Sequence, residues 1–272
     1  MYETLYLRAS SLDEALGLLR EHEDARPLSG GMTLVPTLKQ RLAAPSHLID
    51  LTRIESMRGV SVESGVLRVG ALTKHAEVAA SPVVIAAIPA LAQLASVIAD
   101  PQVRNRGTMG GSVANNDPAA DYPSAVLALN AQVLTSQRRI GADDFFVDTF
   151  ETALEPGELV TEFEYPLPLR AAYAKFRQPA SGYAVVGVFI AQFADAIRVA
   201  VTGAGASVFR WLEAEAALAA DLSEAALIPL KMDAATLPED ANGSSAYRAH
   251  LIETYTRRAL LALLAQPLRQ PA

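Results

Sequence analysis

Two stretches built on an adjacent glycine pair beside hydroxyl residues constrain this chain more than anything else in it. The longer, Arg104-Asn105-Arg106-Gly107-Thr108-Met109-Gly110-Gly111-Ser112-Val113-Ala114-Asn115-Asn116-Asp117-Pro118, runs fifteen residues with few apolar side chains, between two apolar runs. The shorter, Leu28-Ser29-Gly30-Gly31-Met32-Thr33-Leu34-Val35-Pro36, lies about 80 positions earlier. Glycine lets the backbone approach a neighbour closely and adopt positive φ. Exposed N–H groups with Ser, Thr and Asn side chains suit an anionic oxygen such as a phosphate. A long polar turn rich in Gly and Asn reads the same way for one loop alone. Two such loops point to one extended ligand held from both sides.

The rest of the composition narrows the field. The 272 residues are enough for two or three modest domains or one large one. With 51% hydrophobic and 19% charged residues the chain reads as folded and globular. A net charge of −7 without a dense Lys/Arg cluster argues against nucleic acid as a partner. With no cysteine, the chain has no disulfide, thiolate zinc site or cysteine-ligated iron–sulfur cluster of its own. The four histidines, His22, His47, His75 and His250, are scattered and read as surface or capping residues. Met1-Tyr2-Glu3-Thr4 does not open a secretory signal, so a cytoplasmic location is expected. Residues 78–99 lack charge but contain Pro82, Pro89 and Gln93, and read as buried helix, not a membrane span.

Taken in order, residues 2–8 read as a strand. Ser11-Leu12-Asp13-Glu14 has capping-box spacing before a helix with Leu12, Ala15, Leu16 and Leu19 on one face. A helix over 33–42 begins inside the first glycine loop, with Pro36 in its first turn. Residues 47–51 read as a buried strand and 60–70 as a hairpin turning at Ser64-Gly65. A helix starts at Thr73, breaks at Ser81-Pro82 and gives way to an apolar helix over 83–98. After the second glycine loop come a helix over 123–129 and strands over 131–135 and 159–165. A boundary near 166–170 precedes an antiparallel meander of strands over 172–177, 183–194 and 197–202. Helices over 211–220 and 247–264 follow, the latter with Ile252, Tyr255, Ala259 and Leu263 on one face, and 238–245 reads as a flexible loop. This order indicates α+β, not a doubly wound sheet.

Most site chemistries find no support. Neither loop is G-x-G-x-x-G in a strand–loop–helix–strand unit followed by an acidic residue, and no Walker lysine or G-x-S-x-G elbow occurs. Asp143-Asp144 reads as a solvated turn. Glycine loops with few acid–base candidates favour cofactor chemistry, in which the protein binds and tunes.

Ser29-Gly30-Gly31-Met32-Thr33-Leu34 resembles the first flavin motif of one family, and Thr108-Met109-Gly110-Gly111 the second, Thr-Ile-Gly-Gly. Asn116-Asp117-Pro118-Ala119-Ala120-Asp121-Tyr122-Pro123 continues it. Val201-Thr202-Gly203-Ala204-Gly205-Ala206 and Tyr247-Arg248-Ala249-His250-Leu251 resemble its C-terminal domain. The chain thus resembles, over nearly its whole length, the FAD-binding medium subunit of the molybdenum hydroxylases, in particular the aerobic carbon monoxide dehydrogenase branch. Xanthine dehydrogenase has the equivalent domain within a longer chain.

The resemblance implies a two-part FAD-binding region of the vanillyl-alcohol-oxidase-like (PCMH) type over residues 1–170, with subdomains about 1–56 and 57–170. A C-terminal α+β domain over 171–272 follows. It implies transfer of electrons from 2Fe-2S clusters of a small subunit, through FAD here, to an external acceptor. A large subunit would carry the molybdenum cofactor, in a dimer of heterotrimers. The alternative is a non-redox phosphate-ligand binding or scaffold subunit. Residue by residue, Leu28, Ser29, Gly30, Gly31, Met32, Thr33, Leu34 and Val35, with Thr108, Met109, Gly110, Gly111 and Ser112, match the loops that hold the FAD diphosphate by backbone N–H groups. Asp121 matches a cofactor-contacting aspartate, Ile98 and Val160 apolar flavin contacts, Lys175 a lysine near the ring and Tyr183 a residue against its face. Ser29 stands for the usual alanine, and Ser112 where many relatives have asparagine.

Overall fold

The computed structural model describes residues 1–269. Its first layer is a small parallel sheet of β1 (Leu5–Arg8), β2 (Arg26–Leu28) and β3 (His47–Asp50) in the order β1-β3-β2. The crossovers are α1 (Leu12–Glu21) and α2 (Leu34–Lys39). Ser11 caps α1 by accepting from the Glu14 N–H at 3.1 Å. The return half of the expected capping box is made one residue earlier, because the Glu14 carboxylate takes the Ser10 N–H and hydroxyl. The helix expected over 33–42 closes at Lys39, where the chain turns through a left-handed Arg41 (φ 60°).

The first glycine loop therefore does lie in a strand–loop–helix–strand unit, contrary to the sequence reading. The three-residue strand β2, with Pro27 at its centre, shows no alternation to reveal it. An acidic residue even falls twenty positions after Gly30: Asp50, at the end of β3. Its oxygens are already taken by Tyr6, Arg8 and the Thr52 N–H, so no free carboxylate is offered there.

The second sheet is antiparallel: β4 (Val60–Glu63), β5 (Val66–Gly70), β6 (Gln132–Thr135), β7 (Arg139–Gly141) and, after a two-stranded hairpin of β8 (Phe146–Asp148) and β9 (Glu151–Thr152), β10 (Val160–Pro166), in the order β4-β5-β10-β6-β7. Ser64 (φ 50°) and Gly65 (φ 77°) make the expected turn, both left-handed as a tight two-residue hairpin requires. The same stretch holds α3 (His75–Ala80), α4 (Pro82–Ala87), α5 (Pro89–Ser96), α6 (Pro101–Arg104), α7 (Met109–Asn115), α8 (Tyr122–Ala128) and α9 (Ala142–Phe145), of which α4, α7 and α9 pack on this sheet. The single helix expected over 83–98 is two. Proline removes a donor at 89 and drives its predecessor out of the helical region, leaving Ile88 at φ −140° and ψ 82°. No helix among the described residues is long and apolar enough to cross a membrane.

The third sheet runs β11 (Arg170–Arg177), β12 (Ala184–Gln192), β13 (Ile197–Thr202) and β14 (Phe209–Arg210), antiparallel throughout. On one side lie α10 (Leu212–Ala220), α11 (Glu224–Leu227) and α12 (Ser245–Leu264). Trp211, expected inside a helix, is its N-cap. Successive strand residues face opposite sides, and β12 uses both. Val186, Val188 and Ile190 join the core under the helices, where Ile252, Tyr255, Ala259 and Leu263 meet them. Phe189 and Ala191 join the larger core of the preceding sheets, as do Ala171 and Tyr173 of β11. With its α+β architecture and separate antiparallel sheets, the fold is of the expected class.

Two of the C-terminal motifs meet in one lock. Gly203 has φ 84°, and a Cβ on it would lie 2.6 Å from the Ala184 carbonyl oxygen. Buried Arg248 of α12 donates to the Gly203 and Val185 carbonyls and pairs with Asp240, inside the segment 238–245. Asp143 and Asp144 are exposed, as expected, though in α9 and not in a turn, and Asp143 accepts from Arg198 at 2.5 Å and from Arg210 at 3.4 Å.

Candidate functional site

The two glycine loops are neighbours. Gly30 packs so closely on the second loop that a Cβ on it would lie 2.3 Å from the Arg106 carbonyl oxygen and 2.6 Å from the Gly107 Cα. Thr108 Oγ1 donates to Ser29 Oγ at 3.1 Å, and a Cβ on Gly111 would lie 2.7 Å from that same Ser29 Oγ. A Cβ on Gly110 would lie 2.6 Å from the Ala71 side chain. These three glycines let protein approach protein; Gly31 supplies a left-handed turn (φ 71°).

Between and beside the loops lies a cavity of about 400 Å³. Of the residues singled out in the sequence, Leu28, Ser29, Gly30, Gly31, Met32, Thr33, Leu34, Ile98, Thr108, Gly110, Gly111, Ser112, Asp121, Val160 and Tyr183 line it. Val35, Met109 and Lys175 do not. The Val35 N–H closes a turn on the Gly31 carbonyl at 3.0 Å. Met109 is wholly buried, its sulfur accepting from Tyr165 Oη at 3.3 Å. Lys175 stands one layer behind the wall, its Nζ 2.8 Å from Asp121 Oδ1 and its side chain only 5% exposed.

The loops differ in what they offer. Among the described residues, the N–H groups of residues 29–34 donate to no protein acceptor. Four of the five in the second, Thr108 to Ser112, are committed: Met109 to Thr73 O (3.0 Å), Gly110 to Ala71 O (2.8 Å), Gly111 to Thr108 Oγ1 (3.2 Å) and Ser112 to Thr108 O (3.1 Å). The expectation that both loops present free N–H groups is therefore corrected. The stretch holding Thr108 to Ser112 is not loop throughout, but the capped first turn of α7. Its free contribution is the Ser112 hydroxyl and the Thr108 N–H, while the run of open backbone donors belongs to the first loop.

Asp121 is held from the C-terminal sheet. Tyr173 donates to Oδ1 at 2.5 Å and Lys175 Nζ lies 2.9 Å from Oδ2. Burial pushes this carboxyl up, opposed by the Lys175 ammonium and the Tyr173 hydroxyl. The loop before it is stapled by Thr202 Oγ1 to the Pro118 and Ala120 carbonyls and by the Gly203 N–H to Pro118 O at 2.8 Å. Tyr173 escaped the sequence reading, although its place two residues before Lys175 on one strand put both on one face. A Cβ on Gly187 of β12 would lie 2.5 Å from the Tyr173 hydroxyl, so glycine makes its seat.

His75, expected as a surface or capping residue, is a second omission. It lines the cavity, is 4% exposed, and its ring is packed so tightly that a Cβ on Gly107 would lie 2.5 Å from Nε2. Burial, assisted by repulsion from Arg104, pulls the imidazole down to about 4. Its Nδ1 has no partner among the described residues. Nothing in a lone, scattered histidine signalled this, because its burial depends on Gly107, 32 positions away.

Known proteins share this fold. The model of the FAD binding domain in molybdopterin dehydrogenase matches residues 1–168. The glyceraldehyde dehydrogenase medium chain of Sulfolobus acidocaldarius is 33% identical over 272 residues, covering 94% of this chain and 97% of that one. The carbon monoxide dehydrogenase medium chain of Hydrogenophaga pseudoflava is 33% identical over 278 residues, covering 96% and 97%. The solved carbon monoxide dehydrogenase from that organism, lacking the Mo-pyranopterin moiety of the molybdenum cofactor, superimposes with a TM-score of 0.89 at 34% identity over 97% of this chain and 98% of that one. Quinoline 2-oxidoreductase from Pseudomonas putida 86 gives 0.85 at 29% over 96% and 97%.

Fold and matches together define an oxidoreductase subunit with an FAD-binding domain. The chain belongs to the medium-subunit family of the molybdenum hydroxylases, the group of carbon monoxide dehydrogenase and xanthine dehydrogenase.

Proposed function

We propose that FAD occupies the cavity between the glycine loops and that this subunit moves electrons from the 2Fe-2S clusters of a small partner subunit to an external acceptor. The large partner would hold the molybdenum cofactor, and the assembly would be a dimer of heterotrimers. On this reading residues 1–170 form the FAD-binding region and 171–272 a C-terminal domain that completes its site. The observation that supports it most directly is a run of six backbone N–H groups, residues 29–34, with no protein acceptor at the edge of a cavity that the second loop also lines.

The residues present fit the group. FAD, when bound, supplies exchange between one-electron and two-electron carriers. The N–H groups of residues 29–34 would hold its diphosphate, with hydroxyls from Ser29, Thr33, Thr108 and Ser112 alongside. Ile98, Val160 and Tyr183 offer apolar and aromatic surface that excludes water. Asp121 would accept from a polar edge of the cofactor, its carboxyl oriented by Lys175 and Tyr173. Burial and the carboxylates of Asp117 and Asp121 push the Tyr183 hydroxyl up, so it stays protonated and neutral at the cavity.

Titration of the purified full-length chain with FAD checks this: one FAD per chain is expected, with flavin absorbance bands that persist through gel filtration. No uptake by the chain or by its complex would refute it. The rival, a scaffold subunit without redox work, is separated by Gly111→Leu in the complex. A side chain there strikes Ser29 and Thr108. Loss of FAD together with acceptor reduction favours electron transfer; unchanged turnover favours the scaffold.

A further inference from the structure

Three successive carbonyls at the cavity wall each accept from a cationic side chain. Lys175 Nζ donates to Val97 O at 3.3 Å. Arg104 Nη1 donates to Ile98 O at 2.8 Å and to Ala99 O at 3.2 Å. Arg177 Nη2 donates to Ala99 O at 3.1 Å. Arg104 ends α6, whereas Lys175 and Arg177 sit two apart on β11, so the turn is gripped from both halves of the chain. The carbonyls at a helix end need partners, and one cation commonly serves. Three, drawn from 78 positions away and from the next helix, are more than a cap requires.

The gripped backbone is unusual in itself. Ala99 has φ 41°, a left-handed conformation that costs a non-glycine residue about 1 kcal/mol and persists when its surroundings over-determine it. The facing segment rests on the same clamp: a Cβ on Gly182 would lie 2.9 Å from Arg177 Nη2 and 3.1 Å from the Ala99 Cα. Ile98, Ala99 and Gly182 all line the cavity. Cations outnumber carboxylates there too, Lys175, Arg104 and Arg177 against Asp117 and Asp121. Lys175 is matched by Asp121, but among the described residues neither Arg104 nor Arg177 lies within 4 Å of a carboxylate.

We infer that Arg104 and Arg177 are positioning residues for the FAD site: they fix the wall formed by Ile98 and Ala99, and the positive charge they leave there favours reduced over oxidised FAD. The inference rests on the FAD reading above. Arg177 is exposed and Arg104 half-buried, so solvent weakens their field without removing it.

The test is FAD affinity in both oxidation states, by titration of the full-length apo-chain, for Arg104→Gln, Arg177→Gln and the double variant, with circular dichroism and melting as checks on folding. The double variant is expected to lose about tenfold more affinity for reduced than for oxidised FAD. For a two-electron couple that ratio is a fall of about 30 mV in midpoint potential. Each single variant is expected to show about a threefold ratio, which keeps the test sound if the double variant folds poorly. Arg104→Lys with Arg177→Lys should restore the ratio but not the oxidised-state affinity, since one ammonium replaces the two contacts of Arg104 less well. Glutamine variants that fold and match the wild type in both affinities would overturn this inference alone. So would lysine variants that leave the ratio where glutamine put it. A wild-type chain that takes up no FAD in either state would overturn this and the FAD reading together.

Discussion

His75 shows how much a single buried ring changes the response to acid. Its imidazole is held near 4, whereas an unfolded histidine titrates near 6.5. Below 6.5 the unfolded chain therefore binds a proton that the native chain refuses, and stability falls as pH drops towards 4. Above 6.5 the contribution is fully present. The expected loss between pH 7 and pH 4.5 from this group is roughly 2–3 kcal/mol. Denaturant unfolding at the two pH values, wild type against His75→Gln, checks it: the variant should lack that share of the pH slope. Neither His75 nor Tyr173 could be assigned its role from local pattern, because each takes its meaning from a residue far off in sequence. Lys175 was legible as a cation near the cavity, yet not as the partner of Asp121. Ser29 and Thr108 were legible as loop hydroxyls, but their direct bond follows only once Gly30 has let the loops touch.

Among the elements, the glycine loops were found in the sequence for a reason that proves only half right. Small residues there let loop meet loop, and that contact sets the shape of the gap beside them. Gly30→Ala is the sharp test, since the added carbon would fall 2.3 Å from a backbone oxygen that cannot step aside cheaply. An alanine that separates the loops should cost about 2 kcal/mol of stability, within the usual range for overpacking. It should also weaken FAD at least tenfold, as read by melting and by flavin titration. The first three strands of the third sheet were legible because their apolar runs are long and bounded by turns, whereas the two-residue β14 was not. The parallel β1-β3-β2 layer was not, because β2 is three residues with proline in the middle and carries no period. Helix breaks follow the same logic: both prolines were noted in the apolar run, but the helix expected over 83–98 ran through Pro89, though each proline opens a new helix.

For the molecule as a whole, the boundary near 166–170 is marked in sequence by Pro166 and Pro168, but one face of the third sheet packs across it. Ala171, Tyr173, Phe189, Ala191 and Ala200 all complete the core of the preceding sheets. Gly182 and Tyr183 complete the cavity wall, and Thr202 and Gly203 hold the segment before Asp121. Residues 1–168, the span of the matched family model, should therefore not make a working half-protein. Expressed alone, that span should bind no FAD and melt well below the full chain; stoichiometric flavin uptake by it would show that the third sheet is dispensable.

The central strand of that sheet has a consequence of its own. Because β12 sends alternate residues into two different cores, a single inserted amino acid within it would exchange the two sets, setting Phe189 against α12 and turning valines towards the flavin side. Surface turns tolerate added residues, but this nine-residue strand has no slack, and its count is the gauge that keeps both halves in step.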